Sequence, residues 1–470
     1  MSKLQLRPAN DNRKPSESVF EDLVRALVHV VEDSIAPSST FEEREAAALA
    51  ATNEAVRRML ESDLQRLSDD LENEIMIGGL LYRRHQPGRG LYYSLCGELC
   101  VARWTYRLMG QRNGPTKIAV ELAAGLVEGA TPAFAYALAH GYGKSPIRWV
   151  ESDLRVAHRR PPSRSTLDRM AKALGTEAKK HAERIETVLR RSETIPEMTA
   201  AINLGLDRTT VPMEEPPDPG ESRRKCSVRY RMAYVGTVCF TDASAQPLCT
   251  RRYAVPAHQG PAGVIRRMLA DLKHALRSKP RLEVGVVQDN APELWNLMRG
   301  ALGADPVLRK HGWRETVDWY HLMEYLGRVL AVVVPSERRR ASILQDWRSR
   351  LERSDRAIHS IRRELDRHGW KLPRFGKKFR EFVRVAGIYL VYAPHFRYAS
   401  LRCHGLHRGS GVTEGACKSL ITMRAKRSGQ RWRRPGIAAV LALKSLLDSE
   451  RLPAFWKIFA RRYEATCVAA

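Results

Sequence analysis

The order of apolar segments after Ala200 restricts the fold more than any other feature of the chain. Three strand-length runs come first: Ala200 to Leu206, Met232 to Phe240 and Pro247 to Val255. The first two are separated by the breaker VPMEEPPDPGES, and the second and third by the turn DASAQ. A helix is then expected over about Pro261 to Ser278, a strand over Leu282 to Val287, a helix from Pro292, a strand over Glu315 to Val317 and a helix from Tyr320. Strands joined first by hairpin-like links and then by helices make a mixed α/β sheet flanked by helices.

Carboxylates sit where such a sheet opens into loops. Asp207 and Asp289 each end an apolar run, and in α/β sheets ligands bind beyond the carboxyl ends of the strands. If the first and fourth strands are neighbours, both aspartates face one cleft. Glu414 begins a helix in GSGVTEGACKSL. Three carboxylates with no nearby His or Cys ligand set suit hard ions, Mg²⁺ or Mn²⁺, and two such ions can activate a nucleophile and stabilise a leaving oxygen at a phosphodiester. Asp242, in DASAQ, is a rival for the first position, although a hairpin-turn role explains it as well. Asp318 in VDWYHLMEYL also ends a strand, and it either supports the site or pairs with His321. Trp295, Trp319 and Tyr320 follow their carboxylates at positions expected to anchor helices in the core.

The charge distribution points to a polyanion. The 470 residues carry 79 Lys+Arg against 52 Asp+Glu, a net of +27, but residues 1–80 are acidic at −7, so the remainder carries +34. Residues 337–380 hold 15 basic and 6 acidic side chains, and residues 402–434 hold 9 basic side chains around the single acid Glu414. An acid inside such a field weakens it unless it binds something cationic, whereas the field itself is suited to DNA phosphates. Lys418, one helical turn beyond Glu414, and Arg424, Lys426, Arg427 and Arg431 are expected along the DNA backbone. Trp432 either stacks on an unpaired base or packs. The eight Cys include no CxxC pair, and Cys96 and Cys100 have the wrong spacing for a zinc knuckle, which suggests core thiols in a reducing, cytoplasmic setting. Cys403, His404 and His407 in RCHGLHRGSG are a zinc candidate that competes with surface or DNA-contact roles. The longest uncharged stretch, Gly129 to Gly143, is too short for a membrane span.

Upstream, residues 1–75 read as an acidic helical arm suited to self-association. Residues 76–195 read as a DNA-binding region. It begins with a hairpin or small sheet around the turn QPGRG and includes a helix-turn-helix-like segment near 145–175, whose basic helix carries Arg164, Arg169 and Lys172; a second helix is expected over Thr176 to Arg191. Residues 196–334 form the first part of the α/β core, 335–400 a helical insertion, and 401–470 the Glu414 helix and C-terminal helices.

GLDRTTVPMEEP around Asp207, AYVGTVCF, VVQDNAPELW around Asp289, VDWYHLMEYL and GSGVTEGACKSLITMRAKRSGQRW around Glu414 together resemble the DDE transposases of bacterial insertion sequences, specifically the ISKra type. The likeness covers about Ala200 to Trp456. It implies a ribonuclease H-like catalytic core with a helical insertion before the Glu helix. It also implies a metal-binding triad of Asp207, Asp289 and Glu414, Mg²⁺-dependent cutting and joining of double-stranded DNA at element ends, and a homodimer or higher oligomer. Two other readings remain for the residues alone: a DNA-binding transcriptional regulator with an α/β sensor or oligomerisation domain, and a nuclease of the same fold that cuts without joining.

Overall fold

The computed structural model describes residues 17–33, 35–36, 38–216, 226–289, 291–369, 372, 376–380, 382–383 and 395–470. The chain divides into two compact units, Met1–Ile185 together with Leu452–Ala470, and Glu186–Arg451. Each holds a five-stranded sheet, and the whole is mixed α/β with many helices.

In the first unit, helices α1 (Glu17–Asp33) and α2 (Phe41–Asp69) precede strands β1 (Glu74–Ile77), β2 (Leu80–Ser94), β3 (Gly97–Leu108) and β4 (Thr116–Lys117). The C-terminal strand β10 (Cys467–Ala469) returns to pair with β1, giving the antiparallel order β10-β1-β2-β3-β4. The last residues therefore belong with this sheet, and the 401–470 boundary expected above divides at Leu452. α2 starts at a reciprocal Thr40–Glu43 capping box. Its side chains then run along β3: Glu61 accepts from the Cys100 N–H at 2.8 Å, Gln65 from the Ala102 N–H at 2.8 Å, and Ser68 donates to the Ala102 carbonyl at 2.9 Å. The arm thus has a seat within its own unit. QPGRG is not the turn that was expected; it lies inside β2, and the chain reverses between Ser94 and Gly97. At Gly90 an added Cβ would come within 2.6 Å of the Tyr92 hydroxyl and 2.4 Å of Arg103 Nε, so the ends of both side chains would have to move.

Helices α3 (Ala119–Ala123), α4 (Pro132–Lys144) and α5 (Ile147–Val156) follow, and then α6 (Arg164–Ser192). α6 is one continuous 29-residue helix rather than two. Thr176, expected to open a second helix, instead donates to the Lys172 carbonyl one turn back at 2.7 Å, so the helix passes through Gly175 unbroken.

In the second unit, β5 (Ala201–Glu215), β6 (Ser227–Thr241) and β7 (Pro247–Pro256) are antiparallel. β8 (Glu283–Gln288) and β9 (Arg314–Val317) add in parallel on the other side, in the order β7-β6-β5-β8-β9. The first and fourth strands are therefore neighbours. β5 is longer than its apolar run, because pairing with β6 continues to Glu215↔Ser227. Pro212 is tolerated because its carbonyl faces away from β6 and accepts from the Trp432 N–H at 3.1 Å, so its missing N–H costs the ladder nothing.

Helices α7 (Ala262–Ser278), α8 (Pro292–Ala304) and α9 (Pro306–His311) link these strands; α10 (Trp319–Val333), α11 (Glu337–Arg353) and α12 (Ala357–Gly369) follow β9. α7 lies close on one sheet face at Gly236, where a Cβ would meet Met268 Sδ at 2.3 Å. α11 and α12 pair through Trp347 and Arg350 on Glu364, at 2.8 and 2.5 Å. Most of 370–394, in the expected insertion, lies outside the described residues. Among the described residues no helix is long and apolar enough to cross a membrane. The helix Arg434–Asp448 runs beside β7, with Ser445 accepting from the Ala254 N–H at 3.0 Å and Ser449 from the Arg252 N–H at 2.7 Å.

Charges are also buried in this unit. Asp271 on α7 accepts from Arg190 at 2.6 Å, from Arg451 at 3.0 and 3.2 Å, and from the Tyr253 hydroxyl. Burial alone would raise its pKa, but Arg451 and Arg190 outweigh it and hold the carboxylate below its ordinary value. Breaking such a pair leaves an uncompensated buried charge. Asp271→Ala should therefore cost the second unit about 3–5 kcal/mol, read as a lower midpoint for its transition in urea denaturation.

Candidate active site

The odd-numbered residues of β5 share one sheet face, and the segment 405–417 lies across it. Asn203 accepts from the His407 N–H at 2.8 Å. At Gly205 a Cβ would meet the Thr413 hydroxyl at 1.9 Å, so only glycine lets the helix Gly411–Cys417 approach this closely. Thr413 and Thr237 then share a hydrogen bond of 2.7 Å across the seam. The next odd residue is Asp207, placed just past the β5–β8 pairing, which ends at Leu204↔Val286. Its Oδ1 accepts from the Arg208 N–H at 2.6 Å and its Oδ2 from the Cys417 thiol at 3.2 Å. Burial and the Asp207 charge push the Cys417 pKa up, which keeps the thiol protonated as a donor.

Asp289 follows β8 directly, with its backbone carbonyl held by the indole N–H of buried Trp295 at 2.8 Å. Asp318 follows β9 and caps α10 by accepting from the His321 N–H at 2.7 Å. Its second oxygen accepts from the Ser410 N–H, tying the loop before the Glu414 helix to the end of β9. Ser410 in turn donates to Glu414 Oε1 at 2.7 Å, and its hydroxyl lies 3.5 Å from Asp289 Oδ1.

His321 sits among these acids, its Nδ1 3.1 Å from Asp318, 3.2 Å from Asp289 and 3.9 Å from Glu414. The hydrogen bond to Asp318 raises its pKa to about 9, with Asp289, Asp318 and Glu414 adding to the effect against burial. Asp289 moves up to about 6: burial raises it, His321 opposes, and the charges of Asp207, Asp318 and Glu414 add to the rise. Asp318 goes the other way, since hydrogen bonds from His321 and Ser410 overcome its burial. Asp289, His321 and Glu414 offer ligand atoms that all lie within 4.8 Å of one another. The structure thus gathers Asp289, Glu414, Asp318 and His321, with Asp207 beside them on the neighbouring strand and held by Cys417.

Other expected residues fall elsewhere. Asp242 is a turn former, its Oδ1 accepting from Ser244 and Gln246 N–H groups at 2.8 and 2.9 Å. Trp432 is buried, and its indole donates to the Ala425 carbonyl at 2.9 Å, so it packs rather than offering a face to a base. Arg424 is 1 % exposed, with its guanidinium over the Trp432 ring, and is no surface contact for a DNA backbone. Lys418 and Arg431 are exposed, and Lys426 and Arg427 half-buried. Arg164, Arg169 and Lys172 are exposed on α6, but Arg164 is paired with Glu151 at 2.7 Å and Lys172 with Asp168. His404 pairs with Glu283 at 3.3 Å and His407 is half-buried, and the two form no ligand cluster with Cys403 among the described residues. Trp295 and Trp319 are core, as their positions suggested, but Tyr320 is 69 % exposed. It occupies the second position of α10 and stays outside the core, whereas Trp319 packs edge-on against Tyr398. Ser410 and Cys417 carried no pattern of their own in the sequence; the only hint was the i, i+4 spacing of Ser410 and Glu414.

The chain matches no family model and no curated protein. A solved structure described as the Drosophila P element transposase strand transfer complex is similar at a TM-score of 0.25 and 10 % identity, over 71 % of this chain and 83 % of that one. A likeness of that size fixes neither fold nor function, so the site's own geometry has to carry the functional reading.

The His321 shift gives a signed prediction. A His pKa raised on folding contributes stability that is fully present below its unfolded value near 6.5 and is lost as pH rises through about 9. His321→Gln should therefore lower the melting temperature at pH 6 and converge with the unmodified protein above pH 9, in metal-free buffer. The seam is testable separately. Gly205→Val should displace the Glu414 helix, seen as faster amide exchange at 411–417 while α7 stays protected.

Proposed function

We propose that the chain is a transposase of the DDE type with a ribonuclease H-like core, which cuts DNA at element ends and transfers the strand. What carries this reading is the convergence at one sheet edge. Parallel neighbours β5 and β8 present Asp207 and Asp289, and the helix seated on Gly205 presents Glu414 against Asp289 through Ser410.

The donor set fits divalent metal. The carboxylates are hard oxygen ligands; burial, with a smaller contribution from the neighbouring acids, raises the pKa of Asp289, and a bound cation would offset both effects. Asp207, Asp289 and Glu414 would hold Mg²⁺ or Mn²⁺, with two ions expected for this chemistry. When bound, such ions supply an activated water or 3′-hydroxyl and charge stabilisation at the phosphodiester. The chain's own residues do the rest. Ser410 orients Glu414, Cys417 fixes the Asp207 rotamer, and Asp318 sets both the start of α10 and the loop before Glu414. His321 is held as a cation beside Asp289 while metal is absent. Lys418, Lys426, Arg427 and Arg431 follow Glu414 in sequence and remain at least partly exposed, and double-stranded DNA is the partner they suit. Joining two ends to a target calls for at least two copies of the chain, so a homodimer or larger assembly is part of the proposal.

The test uses DNA flanking the chain's own gene. With Mg²⁺, the protein should nick at a defined position and leave a 3′-hydroxyl. Asp207→Ala, Asp289→Ala and Glu414→Ala should each lower cleavage by about a thousandfold or more, the scale expected when a catalytic group is lost, while leaving binding in a mobility-shift assay intact. Asp242→Ala should cut normally. Full activity in Asp207→Ala, or retained cutting in chelator, would remove the proposal.

A further inference from the structure

An exposed aromatic ring stands at the rim of the carboxylate cluster. Tyr320 lies between Trp319, which is core, and His321, whose imidazole touches Asp318 and Asp289. It is 69 % exposed. Its ring rests against Gly409, where an added Cβ would come within 3.0 Å of ring carbons Cδ2 and Cε2 and 3.1 Å from Asp318 Oδ2. Gly409 adjoins Ser410, the residue that bonds Glu414, so the ring is supported from the catalytic side and open on the other. Its position is well fixed. Asp318 caps α10, the Trp319 N–H donates to the Arg408 carbonyl at 2.9 Å, and the Arg408 guanidinium sits 5.1 Å from the Trp319 ring centre.

A flat, exposed ring held beside the carboxylates of the proposed strand-cutting centre is suited to act as a base-stacking platform. Every base presents a π face, so such a platform needs no particular sequence. A nucleotide that leaves its helical stack beside a scissile phosphate bares a face that such a ring can cover, which holds the opened backbone in place. We propose that Tyr320 stacks on a nucleotide unpaired at the point of cleavage and holds the scissile phosphate against Asp289 and Glu414; this rests on the strand-cutting function proposed above. The ligand class is an unpaired nucleotide within otherwise duplex DNA. Tyr320 itself exchanges no proton with the substrate, so its ring and not its hydroxyl carries the role.

The experiment compares the full-length protein with Tyr320→Ala and Tyr320→Phe. Two duplexes carry the mapped nick site, one fully paired and one with a mismatch at the adjoining base pair. Removing the stack should lower kcat on the paired duplex by about tenfold or more, with Phe close to the unmodified protein. The mismatch, which lowers the cost of unpairing, should restore most of the Ala variant's rate. 2-Aminopurine at the adjoining position should brighten when the unmodified protein unstacks it from its neighbours, and this signal should be lost in Tyr320→Ala. Equal cutting of both duplexes by all three proteins would overturn the inference while leaving the strand-cutting function intact, and so would a Phe variant as slow as Ala. Absence of any cutting by the unmodified protein would remove both. Matching far-ultraviolet dichroism and melting temperatures exclude misfolding as the cause of a loss.

Discussion

The site depends on one buried carboxylate. Asp318, fully buried at the end of β9, accepts from the His321 N–H, the His321 imidazole and the Ser410 N–H. Its own N–H donates to the Gln288 carbonyl at 3.0 Å, which fixes it beside the end of β8. Three segments distant in sequence, ending at Gln288, starting at Trp319 and entering at Ser410, are thereby held at one point. A buried charge persists only when its lone pairs are satisfied, and here the satisfaction is the architecture. Without Asp318, Ser410 loses its tie to the end of β9, and the segment keeps only its contacts with β5 and β6 on either side of it.

A second constraint acts from the other side. The helix Gly411–Cys417 is short and opens without a side-chain cap, so its position comes from what it touches. It touches β5 through a glycine, and the Thr237–Thr413 pair shows how little space remains. The positive charge of the 402–434 segment is distributed accordingly. Arg424 and Trp432 are consumed in packing, while Lys418 and Arg431 remain outward.

Much of the sheet was legible because apolar runs and turn residues report local structure directly, and the order of strand-only and strand–helix segments limited the topology. Asp207, within β5, and Asp289, just after β8, could be found because each follows a run of buried residues. What was not legible involved contacts between distant segments. The true length of β5 depends on β6, and the Pro212 that looked like a breaker is accommodated by Trp432. QPGRG carries every local mark of a turn, yet β3 pairs across it and keeps it extended. Tyr320 resembles its neighbour Trp319 in composition, and only the direction of the first turn of α10 separates a core ring from an exposed one. The importance of Ser410 and Cys417 could not be read from their types, since each matters only through a carboxylate far away in sequence.

Beyond the two residues of β3 that pair with β4, its outer amides and carbonyls would otherwise be bare, as would those of β7 at the end of the second sheet. On β3 the polar face of α2 engages them through Glu61, Gln65 and Ser68, and on β7 Ser445 and Ser449 do the same from the helix Arg434–Asp448. A free strand edge is a template for adding another chain's strand, the route to fibrils and to swapped dimers. With these stretches already engaged by helices, strand addition there is blocked. At high local concentration, copies of this protein would be kept from fusing into a continuous sheet along these two stretches.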